Sequence, residues 1–133
     1  MLYWSLLSLA ILAIPFLVLL LGLLRWLAPT KRINYYFGYR SWRSTRTGEL
    51  WKYAQSFSGK IWTWVGAVLL VPGIVQCFVM VGKSMTYMAL AALGCIAVEA
   101  VVLLIAMLVI EIALWVKFTW KGKPRLPKEV TEE

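Results

Sequence analysis

The sequence predicts an all-α, polytopic membrane protein with three transmembrane helices and an amphipathic interfacial helix. Of the 133 residues, 62% are hydrophobic and only 15% are charged, a composition typical of membrane proteins. The apolar residues form three long blocks. Residues 1–24 and 61–82 carry no charge, and residues 84–116 carry only Glu99 and Glu111. Because about 20 apolar residues cross a hydrocarbon core, each block is long enough to span it.

The whole chain, 1–133, is expected to form a single membrane domain. The transmembrane helices are predicted at about 3–26, 61–82 and 87–116, with a loop over 28–60 and a tail over 117–133. The first block is expected to be a retained helix rather than a signal peptide, because it lacks a positive N-terminal region and its apolar run is too long. Pro29 discourages continuation of the first helix.

The second half of the loop carries the signals of an amphipathic helix over 48–60. Thr47 is a suitable N-cap, and Glu49 in the first turn suits the helix dipole. The apolar side chains recur at helical spacing, and they are Leu50, Ala54, Phe57 and Ile61, with Trp51 beside them. The polar side chains Lys52, Gln55, Ser56 and Ser58 are predicted to lie largely away from that stripe. Such a helix would lie at the membrane surface and lead into the second span.

Basic residues predict the orientation of the chain in the membrane. The loop holds Lys31, Arg32, Arg40, Arg43, Arg46, Lys52 and Lys60, and the tail holds Lys117, Lys121, Lys123, Arg125 and Lys128. The turn between the second and third spans has only Lys83. By the positive-inside rule the loop and the C-terminus are expected in the cytoplasm, and the N-terminus outside.

The residue content argues against an enzyme. The chain has no His and no Asp, so it lacks the commonest general base and metal ligand and any Ser-His-Asp triad. Cys77 and Cys95 fall inside predicted spans, where single cysteines act as small hydrophobes. We therefore expect no catalytic residue, no metal site and no cofactor. The net charge of +8 is explained by topology and by anionic membrane lipids, and nucleic-acid binding is not expected.

Three polar residues are predicted to share one layer inside the membrane. Glu99 lies near the middle of the third span, where an ionised carboxylate costs a few kcal/mol. At 1.5 Å per residue, Ser8, Gln76 and Glu99 all lie about 22–25 Å from the loop end of their helices. Interhelical hydrogen bonds could link them. Three interpretations stay open: packing between helices, a site that handles a proton or ligand, or an interface with another subunit.

Two charged residues near the loop side of the membrane have structural and functional interpretations. Glu111 is expected to form an interfacial ion pair with a cation such as Arg25, Arg40 or Lys60. Arg40 follows Gly38 and a tight turn. Its donors could cap a helix C-terminus, bind a lipid phosphate or bridge to Glu111. The structural roles are favoured for both residues.

The stretch "INYYFGYRSWRSTRTGELWKYAQSFSGK" resembles the signature of the SdpI family of small bacterial membrane proteins. The family pattern has fixed spacings that fall here on Asn34, Gly38, Tyr39, Arg40, Ser41, Ser44, Trp51, Ala54, Gly59 and Lys60. The family's C-terminal pattern falls on Glu111, Leu114 and Phe118. The match is close over about 31–64 and looser at the C-terminus. The chain departs from the pattern at Ser41, Thr45 and Ile110, where threonine, methionine and threonine are usual.

The resemblance implies a protein of the bacterial cytoplasmic membrane that takes part in toxin-peptide immunity and signalling. In that role it would meet a secreted toxin peptide outside and a repressor or other protein at its cytoplasmic loop. The chain corresponds to the three-helix, C-terminal part of the family's longer immunity protein. The alternative function is a small accessory subunit of a larger membrane transporter or cell-envelope enzyme complex.

Overall fold

The computed structural model describes residues 1–33 and 36–125, and their regular structure is entirely helical. The helices are α1 (Leu2–Leu27), α2 (Gly48–Val79) and α3 (Met85–Lys117). All three are long and apolar enough to cross a membrane. The predicted all-α fold with three membrane-spanning helices is therefore confirmed.

The helix ends follow local sequence signals. The predicted N-cap of α2 is confirmed, because the Thr47 hydroxyl accepts the backbone N–H of Leu50 at 3.2 Å. The Ser84 hydroxyl caps α3 in the same way, accepting the N–H of Tyr87 at 3.3 Å. Each cap satisfies a donor that has no partner inside its own helix. α1 ends at Leu27, two residues before Pro29.

The segment 48–60 is helical and continues without a break into the second span. α2 has 32 residues, which corresponds to about 48 Å at 1.5 Å per residue. That length exceeds a hydrocarbon core of about 30 Å, so α2 extends beyond the bilayer at one end. We call the end of the bundle that carries the loop and the tail the loop end, and the opposite end, with residues 80–84, the turn end.

Glycines bring α1 and α2 into backbone contact. Gly59, Gly66 and Gly73 are spaced seven residues apart along α2, so they lie on one helix face. A Cβ atom on Gly66 would lie 2.5 Å from the backbone nitrogen of Leu19, and one on Gly59 would lie 2.7 Å from that of Trp26. Small residues at such crossings are typical of membrane helix pairs. This seam holds α1 and α2 together.

α3 packs against the other helices at its two ends. The loop-end core consists of Tyr39, Leu50, Ala54, Ile110, Leu114 and Phe118. The turn-end core consists of Ile11, Met80 and Ala92. Between these two cores a cleft of about 420 Å³ separates α3 from α2.

Candidate functional site

The loop is held on α2 by the side-chain amide of Gln55. The Tyr39 backbone N–H donates to Gln55 Oε1, and Gln55 Nε2 donates to the Tyr39 carbonyl, each at 2.8 Å. Gln55 is fully buried, as is Ser58. The prediction that these two polar side chains lie away from the buried face is wrong, because the loop covers this side of the helix and its backbone needs a polar partner.

Gly38 leaves room for this pairing, and the ring of Trp51 packs beside it. Gly38 has φ +122°, a conformation that favours glycine. A Cβ atom there would lie 2.7 Å from Gln55 Oε1 and 3.1 Å from the Trp51 ring. Trp51 is fully buried, and its indole N–H donates to the Thr30 carbonyl at 3.0 Å. The start of the loop at Thr30 and its middle at Tyr39 are therefore both attached to the first turns of α2.

Ser44 closes the turn that follows Tyr39. Its hydroxyl accepts the Ser41 N–H at 2.8 Å and lies 3.1 Å from the Tyr39 carbonyl, to which it donates. The Ser44 N–H in turn donates to the Ser41 hydroxyl at 3.1 Å. Ser44 is fully buried. A hydroxyl at both positions is needed for this reciprocal pair, so the serine at position 41 fits the turn.

Tyr39 connects the loop to α3 through its hydroxyl, which donates to Glu111 Oε1 at 2.6 Å. Burial of the ring, and then the hydrogen bond to Glu111 and its charge, raise the pKa of Tyr39 well above its usual value. The hydrogen-bond partner that the structure shows for Glu111 is the phenol of Tyr39, and an additional ion pair with a cation stays a prediction. One hydrogen bond thus joins the loop motif to Glu111 of the C-terminal pattern.

The remaining motif residues have different environments. Gly59 is buried in the α1–α2 seam, whereas Lys60 is exposed. Arg40 is exposed beside the buried Tyr39. Asn34 lies outside the described residues.

The tail folds back on the loop as a short hairpin. Phe118 and Pro124 form an isolated β-bridge, and the Arg125 N–H donates to the Lys117 carbonyl at 2.8 Å. The Thr47 hydroxyl donates to the Gly122 carbonyl at 3.2 Å. Gly122 has φ +78°, and a Cβ atom there would lie 2.5 Å from Thr47 Cγ2. The N-cap of α2 is therefore also the contact point of the tail.

A cluster of two exposed tryptophans and two half-buried arginines lies where the loop meets the tail. Its members, which we call the Trp–Arg cluster, are Trp42, Arg43, Arg46 and Trp120. The Arg46 guanidinium lies 4.2 Å from the Trp42 ring centre and 4.3 Å from that of Trp120, and it also donates to the Trp120 carbonyl. Arg43 lies 5.3 Å from the Trp120 ring. The two tryptophans remain 68% and 58% exposed.

The sequence contains weak signals for these contacts. Trp51, Gln55 and Gly59 follow one another at four-residue spacing, so they share one helix face. Trp51 and Gly59 belong to the family pattern, and their shared face indicates a role for Gln55 between them. The Trp–Arg cluster has no comparable signal, because Trp120 is 78 residues from Trp42 and meets it only through the tail hairpin.

The predicted polar layer is only partly assembled. Gln76 and Glu99 line the same cleft between α2 and α3, but Ser8 is not among the cleft residues. Ser8 and Glu99 are 8% and 4% exposed. Within the described part of the chain, Ser8 Oγ and Glu99 Oε2 have no hydrogen-bond partner. The hydrogen bonds that were predicted to link all three residues are therefore not formed.

Among residues 1–33 and 36–125, no group of three or more His, Cys, Asp or Glu side chains is arranged to hold a metal ion. The polar chemistry of the described residues is concentrated in the loop-end contacts and in the cleft.

The fold and the loop-end contacts define a small polytopic membrane protein with a folded, basic loop and tail at one end. The chain belongs to the SdpI/YfhL protein family, whose model matches residues 30–118. The match covers the loop, α2 and α3, and it confirms the resemblance read from the loop motif. Comparison with curated proteins and comparison with solved structures each returned no significant match.

Proposed function

We propose that this chain is a toxin-peptide immunity and signalling protein without enzymatic activity, located in the bacterial cytoplasmic membrane. Its family membership over residues 30–118 is the observation that carries the proposal. By the positive-inside rule, the loop end faces the cytoplasm and the turn end faces outward. The helices would meet a secreted toxin peptide from outside, and the loop end would bind a repressor or another cytoplasmic protein.

The Trp–Arg cluster is the part of the loop end best suited to bind a partner protein. Tryptophan and arginine are the residues most enriched at binding hot spots. Arg46 is already held between two rings, so little side-chain entropy remains to be lost on binding. The loop beneath the cluster is fixed by Gln55 and by the Tyr39–Glu111 bond. These features support a preformed docking surface.

Affinity purification in mild detergent from the native host, followed by mass spectrometry, tests the proposal. Trp42→Ala and Arg40→Ala should be compared with wild type at matched expression. Trp64→Ala is the matched control, because Trp64 on α2 is similarly exposed, at 67%. We expect a DNA-binding repressor or a small secreted peptide with wild type and with Trp64→Ala. Loss of the repressor with Trp42→Ala would assign its binding to the cluster. A stoichiometric transporter or envelope enzyme would overturn the proposal.

The second candidate function is an accessory subunit of a larger membrane complex. The observation that favours it is the exposure of α3, because a smaller fraction of α3 is buried than of α1 or α2. In this alternative the exposed face of α3 would pack against helices of other subunits. The same purification separates the two functions, because an accessory subunit would be recovered with its complex in fixed proportion.

A further inference from the structure

The cleft between α2 and α3 contains a buried carboxylate without a partner. Glu99 is 4% exposed, and its Oε2 atom has no hydrogen-bond partner within the described residues. A buried polar group that is left unsatisfied destabilises the protein, and a charged group does so more strongly. A group that binds in the cleft and donates to Glu99 would remove that destabilisation.

The cleft has the size and the lining of a ligand site. Its volume of about 420 Å³ lies within the range of about 300–1,000 Å³ that is usual for small-molecule sites. Its walls are apolar apart from Gln76 and Glu99, and Gly73 and Gly94 leave two wall positions without side chains. A Cβ atom on Gly94 would meet nothing within 4 Å. An apolar chain therefore fits the walls, with one polar end at the two oxygen acceptors.

The chemistry of the two acceptors favours an amine. An ammonium group has three donors and no acceptor, so it can satisfy the Glu99 carboxylate and the Gln76 carbonyl oxygen together. It also neutralises an ionised carboxylate inside the membrane, which a hydroxyl cannot do. A phosphate headgroup is disfavoured because its charge has the same sign as that of Glu99.

The described part of the chain supplies no cation to the cleft. Among the described residues that line the cleft none is basic. The predicted membrane-spanning blocks 1–24, 61–82 and 84–116 contain no Lys or Arg. A span of a second copy would therefore bring no cation to the depth of Glu99. These observations favour another molecule as the source of the cation.

We propose that the cleft between α2 and α3 binds an amphiphile with an apolar chain and a primary amine, whose ammonium group pairs with Glu99. This ligand site lies in the membrane-embedded part of the chain and is separate from the proposed docking surface at the loop end. Glu99 and Gln76 hold the polar end of the ligand, and Gly94 leaves the space for its chain.

Photolabelling of the full chain in phosphatidylcholine nanodiscs tests the proposal. The probe is dodecylamine carrying a diazirine in its chain, and the labelled peptides are mapped by mass spectrometry. We expect labels on the cleft-lining parts of α2 and α3. Glu99→Gln should reduce labelling at least about ten-fold, because a charge-assisted hydrogen bond is lost. The same probe with a hydroxyl in place of the amine should label equally weakly.

Two further variants keep the test decisive if Glu99→Gln does not fold. Gly94→Leu fills the open space in the cleft and should reduce labelling to the same extent. Ala97→Leu adds the same bulk to an exposed position of α3 that does not line the cleft, and it should label like wild type. Equal labelling by the amine and the alcohol, or labels spread evenly over the three helices, would overturn the proposal.

Discussion

At the scale of single residues, Tyr39 connects three parts of the protein. Its backbone pairs with Gln55 of α2, its carbonyl also accepts from Ser44, and its hydroxyl donates to Glu111 of α3. The loop motif is therefore defined by one buried tyrosine and the groups that surround it. Mutations of its partners should loosen the loop without unfolding the helices.

Gln55→Leu should lower the free energy of unfolding in detergent by about 2–4 kcal/mol, because the Tyr39 N–H loses its buried partner and the Tyr39 carbonyl keeps only its hydrogen bond from Ser44. Gln76→Leu is the matched control, since Gln76 is half-buried at the cleft and distant from the loop. Chemical denaturation followed by tryptophan fluorescence measures both values. Equal losses for the two variants would contradict the role given to Gln55.

Tyr39→Phe should lower the free energy of unfolding by about 1.5–3 kcal/mol at neutral pH, because a hydrogen bond to a charged group is lost. The raised pKa of Tyr39 sets the pH dependence. Unfolded tyrosine ionises at about pH 10 while the folded residue keeps its proton. The stability difference between wild type and Tyr39→Phe should therefore stay constant from neutral pH to about 9 and shrink above about 10.

Parallel denaturation of wild type and Tyr39→Phe at a series of pH values measures this difference. A stability difference that grows as the solution becomes more alkaline would contradict the assignment.

At the scale of the helices, the seam of glycines between α1 and α2 explains how two apolar helices stay together in lipid. Gly66→Ala should destabilise the protein by about 1–3 kcal/mol, because its Cβ atom would lie 2.5 Å from the Leu19 backbone. Gly94→Ala is the matched control, since its Cβ atom meets nothing within 4 Å. It should be neutral, or stabilising by up to about 1 kcal/mol from helix propensity.

Thermal unfolding in detergent compares the two variants. Equal melting temperatures for Gly66→Ala and Gly94→Ala would show that α1 and α2 do not approach as closely as the structure has them.

The sequence predicts the helices well and their contacts less well. Long uncharged blocks identify the three spans, because a helix satisfies all the backbone hydrogen bonds of such a segment within the segment itself. The burial of Gln55 could not be read from periodicity, because a polar face is assigned to solvent unless a covering loop is known. The hydrogen bond from Tyr39 to Glu111 could not be predicted either, because the two residues lie 72 positions apart. The seven-residue spacing of the α2 glycines is visible in the sequence, but the sequence does not show that they pack against α1.

At the scale of the whole molecule, charge is distributed unevenly between the two ends. The loop end carries the Trp–Arg cluster and most of the basic residues, and the turn end carries Lys83. From this asymmetry the positive-inside rule predicts that the loop end faces the cytoplasm. Arg43→Cys and Lys83→Cys, in a background with Cys77 and Cys95 replaced by alanine, report the orientation.

A membrane-impermeant maleimide should label Lys83→Cys in intact cells and Arg43→Cys only after permeabilisation. Labelling in the reverse order would invert the topology and would remove the loop end from the cytoplasm.

A survival assay with a deletion strain of the native host is the sharpest test of the proposed immunity. The strain is grown in medium conditioned by its wild-type parent. We expect the deletion strain to lose viability in this medium but not in fresh medium, and the wild-type gene to restore survival. Gln55→Leu, which loosens the loop, should restore survival less well than Trp64→Ala at matched expression. Equal survival of the deletion strain and its parent would contradict a role in immunity.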